Sequence, residues 1–183
     1  MEYILKTPLT QCDIKKLKSG DRVILSGIIY TARDAAHERM TRLFAGGEDF
    51  PINLSTAAIY YAGPCPAKPG EVIGSCGPTT AGRMDAYTPM LLEHGLRVMI
   101  GKGMRSGEVI NSIIKNGAVY LGAIGGAGAL ISECIKSSEI IAYEDLGTEA
   151  IRKLEVESLP LTVLVDSEGN DLYESGRKEY ATE

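Results

Sequence analysis

The chain has 183 residues, 44% hydrophobic and 23% charged, with a formal net charge of -5. That length suits one domain, at most with a small appendage, and is enough to bury a core. The negative charge argues against nucleic-acid binding, which rests on neutralising phosphates, and no apolar run approaches the roughly 18 residues of a bilayer span.

Residues 3–8 read as a short edge strand, and Thr10 as the cap of a short turn or helix reaching Leu17. Lys18-Ser19-Gly20-Asp21 is a turn. Arg22 to Tyr30, rich in β-branched and apolar residues, reads as a buried strand. Residues 34–44 have helical spacing, with Ala35, Ala36, Met40, Leu43 and Phe44 on one broad face, and Gly46-Gly47 ends the helix. Ala57 to Ala62 is an apolar strand candidate, whereas the glycines and prolines of 63–70 continue no regular element. Glu71 to Cys76 reads as a further strand, 82–94 as a helix stopped by Gly95, and Arg97 to Ile100 as a strand. A helix over Ser106 to Asn116, closed by Gly117, leads to a strand at Ala118 to Leu121. A glycine-rich run and a helix to Ile135 follow, then strands at Ile140 to Tyr143, Ile151 to Val156 and Leu161 to Val165. Asp166 to Asn170 is a polar turn into a last short strand, and the charged residues 177–183 are expected to fray. The alternation in the middle predicts an α/β layered fold over a single domain, 1–183. The strand-rich ends predict a second, partly antiparallel sheet. The first residues, Met1 to Lys6, lack a signal-peptide core, so a cytoplasmic location is the expectation.

Cys12, Cys65, Cys76 and Cys134 form no C-x-x-C pair and have no histidine at zinc-ligand spacing. They read as reduced thiols. Cys76 alone lies inside a glycine-rich loop, but no obvious base accompanies it.

Four segments are candidates for chemistry. Tyr30-Thr31-Ala32-Arg33-Asp34-Ala35-Ala36-His37-Glu38-Arg39 joins a strand to a helix. Arg33 suits a carboxylate, and His37, one turn on, can share its face; a capped surface helix with solvated charges is the plainer reading. Gly74-Ser75-Cys76-Gly77-Pro78-Thr79-Thr80-Ala81-Gly82-Arg83-Met84-Asp85 sets two adjacent hydroxyls and a planar cation in a turn of glycines. The free N–H groups of a following helix would add an anion site there, and a threonine N-cap is compatible with it. Ile100-Gly101-Lys102-Gly103-Met104-Arg105-Ser106 places an ammonium between two glycines, as a site or as a tight solvated turn; it is no Walker A loop. Gly122-Ala123-Ile124-Gly125-Gly126-Ala127-Gly128 misses the dinucleotide spacing and reads as close backbone packing against the core or another subunit.

Taken together, Ile28-Ile29-Tyr30-Thr31-Ala32-Arg33-Asp34-Ala35-Ala36-His37, Gly77-Pro78-Thr79-Thr80-Ala81-Gly82-Arg83-Met84-Asp85 and Ile100-Gly101-Lys102-Gly103 resemble the iron–sulfur-dependent class I fumarases. So do Glu149 to Glu157 and Val163-Leu164-Val165-Asp166. The resemblance is to their C-terminal domain, which two-subunit members carry as a separate β subunit; the β subunit of L(+)-tartrate dehydratase belongs to the same family. It covers nearly the whole chain. It implies a swivelling β/β/α domain with mixed sheets and reversible hydration of fumarate to (S)-malate at a [4Fe-4S] cluster. It implies as well that three cysteines of a partner α subunit hold that cluster, with an α2β2 assembly as the expectation. It further implies that Arg33, Arg83 and Lys102 bind the substrate carboxylates, that Thr79 is the general base, and that Thr80 contacts substrate. Three rivals stand beside it: tartrate dehydration, a noncatalytic dicarboxylate-binding subunit, and a free-standing enzyme using Cys76.

Overall fold

Strand β3 (Ala58–Tyr60) divides the core in two: Ala58 and Tyr60 enter one apolar cluster and Ile59 the other. Strands β4 (Val98–Gly101) and β5 (Val119–Gly122) divide the same way. Val98, Ile100, Val119 and Leu121 face the first cluster, and Met99 and Tyr120 the second. Burial on both faces explains why these segments read as unbroken apolar runs rather than alternating ones. The three strands are parallel neighbours, and β3 also joins the end of β2 (Arg22–Thr31).

The computed structural model describes residues 1–180. Strand β1 (Glu2–Lys6) runs parallel to the first half of β2. Strand β7 (Ile151–Val165) runs antiparallel along the other side of β2 and reaches β5 with its far end. Strand β6 (Ile135–Ala142) pairs with the first half of β7. The chain is therefore a mixed α/β fold on one seven-stranded sheet, ordered β1-β2-β3-β4-β5-β7-β6, with an extra β2–β7 pairing. That pairing closes β2, β3, β4, β5 and β7 into a ring. The second sheet expected from the strand-rich ends is this same sheet, curled back by β7. The first cluster fills the ring, drawing Val23, Leu25, Leu154, Val156 and Leu161 from β2 and β7. The second lies outside it, under α2 (Asp34–Ala45), α3 (Thr88–Glu93) and α4 (Gly107–Asn116), through Ala36, Met40, Leu91, Leu92, Val109 and Ile113. Among the described residues no helix is long and apolar enough to cross a membrane.

Capping signals placed the helix ends well. Thr10 forms a capping box at α1 (Gln11–Lys16), Ser106 Oγ accepts from the Val109 N–H to start α4, and Gly117 ends it in the left-handed region at φ 60. Elsewhere tertiary structure overrode local reading. Residues 71–76 form no strand: both neighbours of β3 are already in place, and Gly74 packs against the Cys65 and Pro66 carbonyls with no room for a side chain. The helix expected over 82–94 splits into a 3₁₀ turn at Ala81–Met84 and α3, because Pro89 has no N–H to continue a helix. Residues 151–165 are one strand, not two. A bulge at Ser158 (φ 55), whose N–H donates to Ser26 Oγ, shifts the register and lets Pro160 sit opposite Ile24. Strand β6 starts five residues earlier than expected, directly after α5 (Gly128–Glu133). The last element is no strand but α6 (Leu172–Tyr180), whose start Asp171 caps by accepting from the Tyr173 N–H at 2.7 Å. Of the segment expected to fray, 177–180 thus belong to α6; 181–183 lie outside the described residues.

Candidate functional site

In a parallel sheet, loops leaving the carboxyl ends of neighbouring strands share one edge. Here that edge receives Arg33 after β2, Gly63 after β3, Lys102 after β4 and Gly125 after β5. Residues 78–81 are threaded into the same edge. Pro78 bridges Ala62, and Thr80 bridges Lys102 in parallel. The Thr79 N–H donates to the Tyr61 carbonyl at 2.6 Å, and the Ala81 N–H to the Lys102 carbonyl at 2.8 Å. The structure so brings the threonine pair directly beside Lys102. It also narrows one expectation: the Thr79 and Ala81 N–H groups are bonded within the sheet edge, so of the N–H groups along this stretch these two are not free for an anion. Neither hydroxyl serves as a cap. Thr80 N-caps the 3₁₀ turn without a side-chain hydrogen bond.

Arg33 N-caps α2, and its guanidinium lies along Gly63, where a Cβ would come within 2.9 Å of Nη1 and 3.1 Å of Cδ. Glycine at 63 is thus what admits the arginine to the edge. Glu149 steadies it, with Oε1 3.3 Å from Nη2 while Oε2 accepts from the Ala35 N–H. Asp34 Oδ1 stands 3.4 Å from the buried Nε, which has no hydrogen bond among the described residues. The guanidinium keeps donor capacity to offer a ligand.

His37 does not share that exposed face. It is fully buried, edge-on to Tyr61. Its Nδ1–H donates to the Arg33 carbonyl at 2.8 Å, in the tautomer that this acceptor requires. Burial drives its pKa down to about 4, so it is neutral at pH 7. It anchors the turn carrying Arg33 rather than meeting a ligand.

Lys102 is half-buried and stretches over Gly125: a Cβ there would stand 3.4 Å from Lys102 Cδ and 3.6 Å from Nζ. The glycine-rich run therefore does two things. Gly122 packs against Leu164 and Gly128 against Ser75 and Gly77, the close backbone packing expected, while Gly125 leaves space for the ammonium. Arg83 projects from the 3₁₀ turn into solvent. Among the described residues neither Arg83 nor Lys102 has a carboxylate within ion-pair distance, unlike Arg33, Arg39 and Arg105. Unpaired cations held near glycine-lined backbone suit a small anion with more than one carboxylate.

Cys76 is buried, and burial pushes its thiol up to about 12, which leaves it protonated and removes it as a nucleophile. Among the described residues no three histidine, cysteine or acidic side chains converge as a metal site. A cleft of about 670 Å³ lies between the 65–75 loop and α5, lined by Cys65, Lys68, Val72 and Lys136 among others. None of the five candidate residues lines it. Three contributors were given no role from the sequence: Gly63, Glu149 and Arg105. Gly63 opens the irregular 63–70 run, Glu149 begins a segment that resembles the family and Arg105 lies in the Lys102 segment, but the part each plays shows only as a tertiary contact.

The family model described as Fumarase C-terminus matches residues 2–176. A Leishmania major protein named fumarate hydratase 2 is 40% identical over 173 residues, 92% of this chain and 30% of that protein. The anaerobic class I fumarate hydratase of Escherichia coli is 44% identical over 155 residues, 84% of this chain and 28% of its own. A Methanocaldococcus jannaschii protein named after the β subunit of L(+)-tartrate dehydratase is 39% identical over 184 residues, 97% of this chain and 94% of its own. The chain thus spans less than a third of the first two relatives and nearly all of the third. With a match over almost its whole length, the chain belongs to the fumarase C-terminus family.

Proposed function

We propose that this chain is the substrate-gripping β subunit of a hydro-lyase interconverting fumarate and (S)-malate, active only when joined to an α subunit that carries a [4Fe-4S] cluster. The cluster is assigned to the partner on the family resemblance, and among the described residues no three candidate donor side chains converge. On this reading residues 1–183 form one swivelling β/β/α domain of a cytoplasmic α2β2 enzyme. The observation that carries the proposal is the Thr80–Lys102 pairing at the carboxyl edge of the parallel strands, with Arg33 admitted to that edge by Gly63.

The chemistry follows from charge. Dehydration removes a proton from the carbon beside one carboxylate, with the developing charge spread onto that carboxylate, and breaks the C–O bond on the adjacent carbon; the partner's cluster would supply the Lewis acid that takes the departing hydroxide. Arg33, Arg83 and Lys102 hold the two carboxylates and stabilise that charge in place. The Thr79 hydroxyl, with its neighbour Thr80 on the substrate, moves the proton. A threonine hydroxyl is a poor base in water and works only where adjacent cations lower the cost of its ionisation. No cationic clamp here has to be freed from an internal partner except Arg33, whose ion pairs at 3.3 and 3.4 Å are loose.

A second reading, the β subunit of L(+)-tartrate dehydratase, is favoured by the end-to-end match to the relative named after it. The test of both is anaerobic mixing with a cluster-loaded α subunit, followed by assays of fumarate hydration and L-tartrate dehydration. Fumarate turnover that requires both polypeptides is the expected result. Turnover of tartrate alone selects the second reading, and dicarboxylate binding without turnover of either contradicts both.

A further inference from the structure

Arg105 is a buried cation outside the five candidates. Its side chain is 0% exposed, and it must be matched where it sits, since an unpaired buried charge is costly. The matching comes from both loops of the candidate edge. Nε donates to Asp85 Oδ1 at 2.8 Å, and Nη2 to Thr88 Oγ1 at 2.7 Å. Both acceptors lie just beyond the turn that carries Thr79, Thr80 and Arg83. Nη1 donates to the Tyr61 hydroxyl at 3.2 Å, and Tyr61 is the residue whose carbonyl receives the Thr79 N–H. The guanidinium carbon also stands 5.3 Å from the Tyr61 ring centre and 5.1 Å from that of Tyr120. Tyr120 in turn donates to the Gly103 carbonyl, next to Lys102. Asp85 completes the tie by accepting the Ser106 N–H at 2.7 Å on its second oxygen.

We infer that Arg105 is a positioning residue that locks the Thr79–Thr80–Arg83 loop in register with the Lys102 loop. It touches no substrate. Its planar fork joins one loop to the other in a way a lysine's single ammonium cannot. The inference rests on the function proposed above for its catalytic consequence, but not for its structural one.

The test uses the full chain and its complex with the α subunit. In the free chain, hydrogen exchange is compared between wild type, Arg105→Lys, and the charge-balanced pair Arg105→Met with Asp85→Asn, which keeps the assay open if the single variant fails to fold. The expected result is faster exchange at the Thr79, Ala81 and Lys102 amides, with β2 and β7 unchanged. In the complex, kcat/KM for the dicarboxylate falls at least tenfold, mainly through kcat, because misplacing groups costs more in the transition state than in binding. Unchanged exchange at those amides overturns the inference, and so does a wild-type kcat/KM in Arg105→Lys. Exchange that rises equally in β2 and β7 reports general loosening and also overturns it. A wild-type complex inactive on both fumarate and tartrate defeats the function proposal instead; the two failures are separable because exchange does not depend on turnover.

Discussion

His37 is a histidine beside a proposed active-site arginine that does no proton chemistry. Its folded pKa of about 4 lies below the ordinary 6.5, so the unfolded chain binds more protons in the interval between them. Its contribution to stability is full above pH 6.5 and is lost as pH falls toward 4, on the order of 3 kcal/mol in all. Urea unfolding at pH 7 and pH 5 should therefore show wild type weakening, and His37→Phe weakening less over the same interval. Equal pH dependence in the two proteins would show that the imidazole is not held neutral. Gly63 acts at the same scale. A methyl group at 63 would meet Arg33 Nη1 at 2.9 Å and the Thr148 carbonyl at 3.2 Å. Gly63→Ala should raise KM for the dicarboxylate several-fold by pushing Arg33 aside, with little change in melting temperature; an unchanged KM would remove Arg33 from the clamp.

Secondary structure was legible where one segment carries its own termination. Helix α4 has a serine cap at one end and Gly117 at φ 60 at the other, so its bounds read almost directly. Gly117→Ala should cost about 1–2 kcal/mol, because an alanine in the left-handed region crowds its Cβ against the backbone. A urea midpoint equal to that of wild type would contradict the C-cap assignment. Reading failed where partners distant in sequence decide. Residues 151–165 divide into two expected strands because the bulge that carries the chain through Pro160 depends on Ser26, far earlier in the chain. Glu71 to Cys76 looked like a strand because nothing local reveals that the sheet has no vacancy for it. The element after the 166–170 turn is a helix and not the expected short strand, with Asp171 accepting from the Tyr173 N–H at its start.

At the level of the whole molecule, the sheet closes on itself and leaves one edge where loops from four strands meet. The segments carrying the five candidate residues stood out in the sequence, since glycines and short polar runs mark such loops, while the role proposed for each came from the family resemblance. Their support was not: Arg105 and Glu149 act through partners that only the fold supplies. The central claim is that this edge grips a diacid for chemistry completed on another polypeptide. The most direct measurement is kcat/KM for fumarate in the anaerobic complex carrying Lys102→Met, with sedimentation confirming that the complex stays assembled. A loss of about 100-fold with assembly intact is the expected result. An assembled complex that turns over fumarate at the wild-type rate would contradict it.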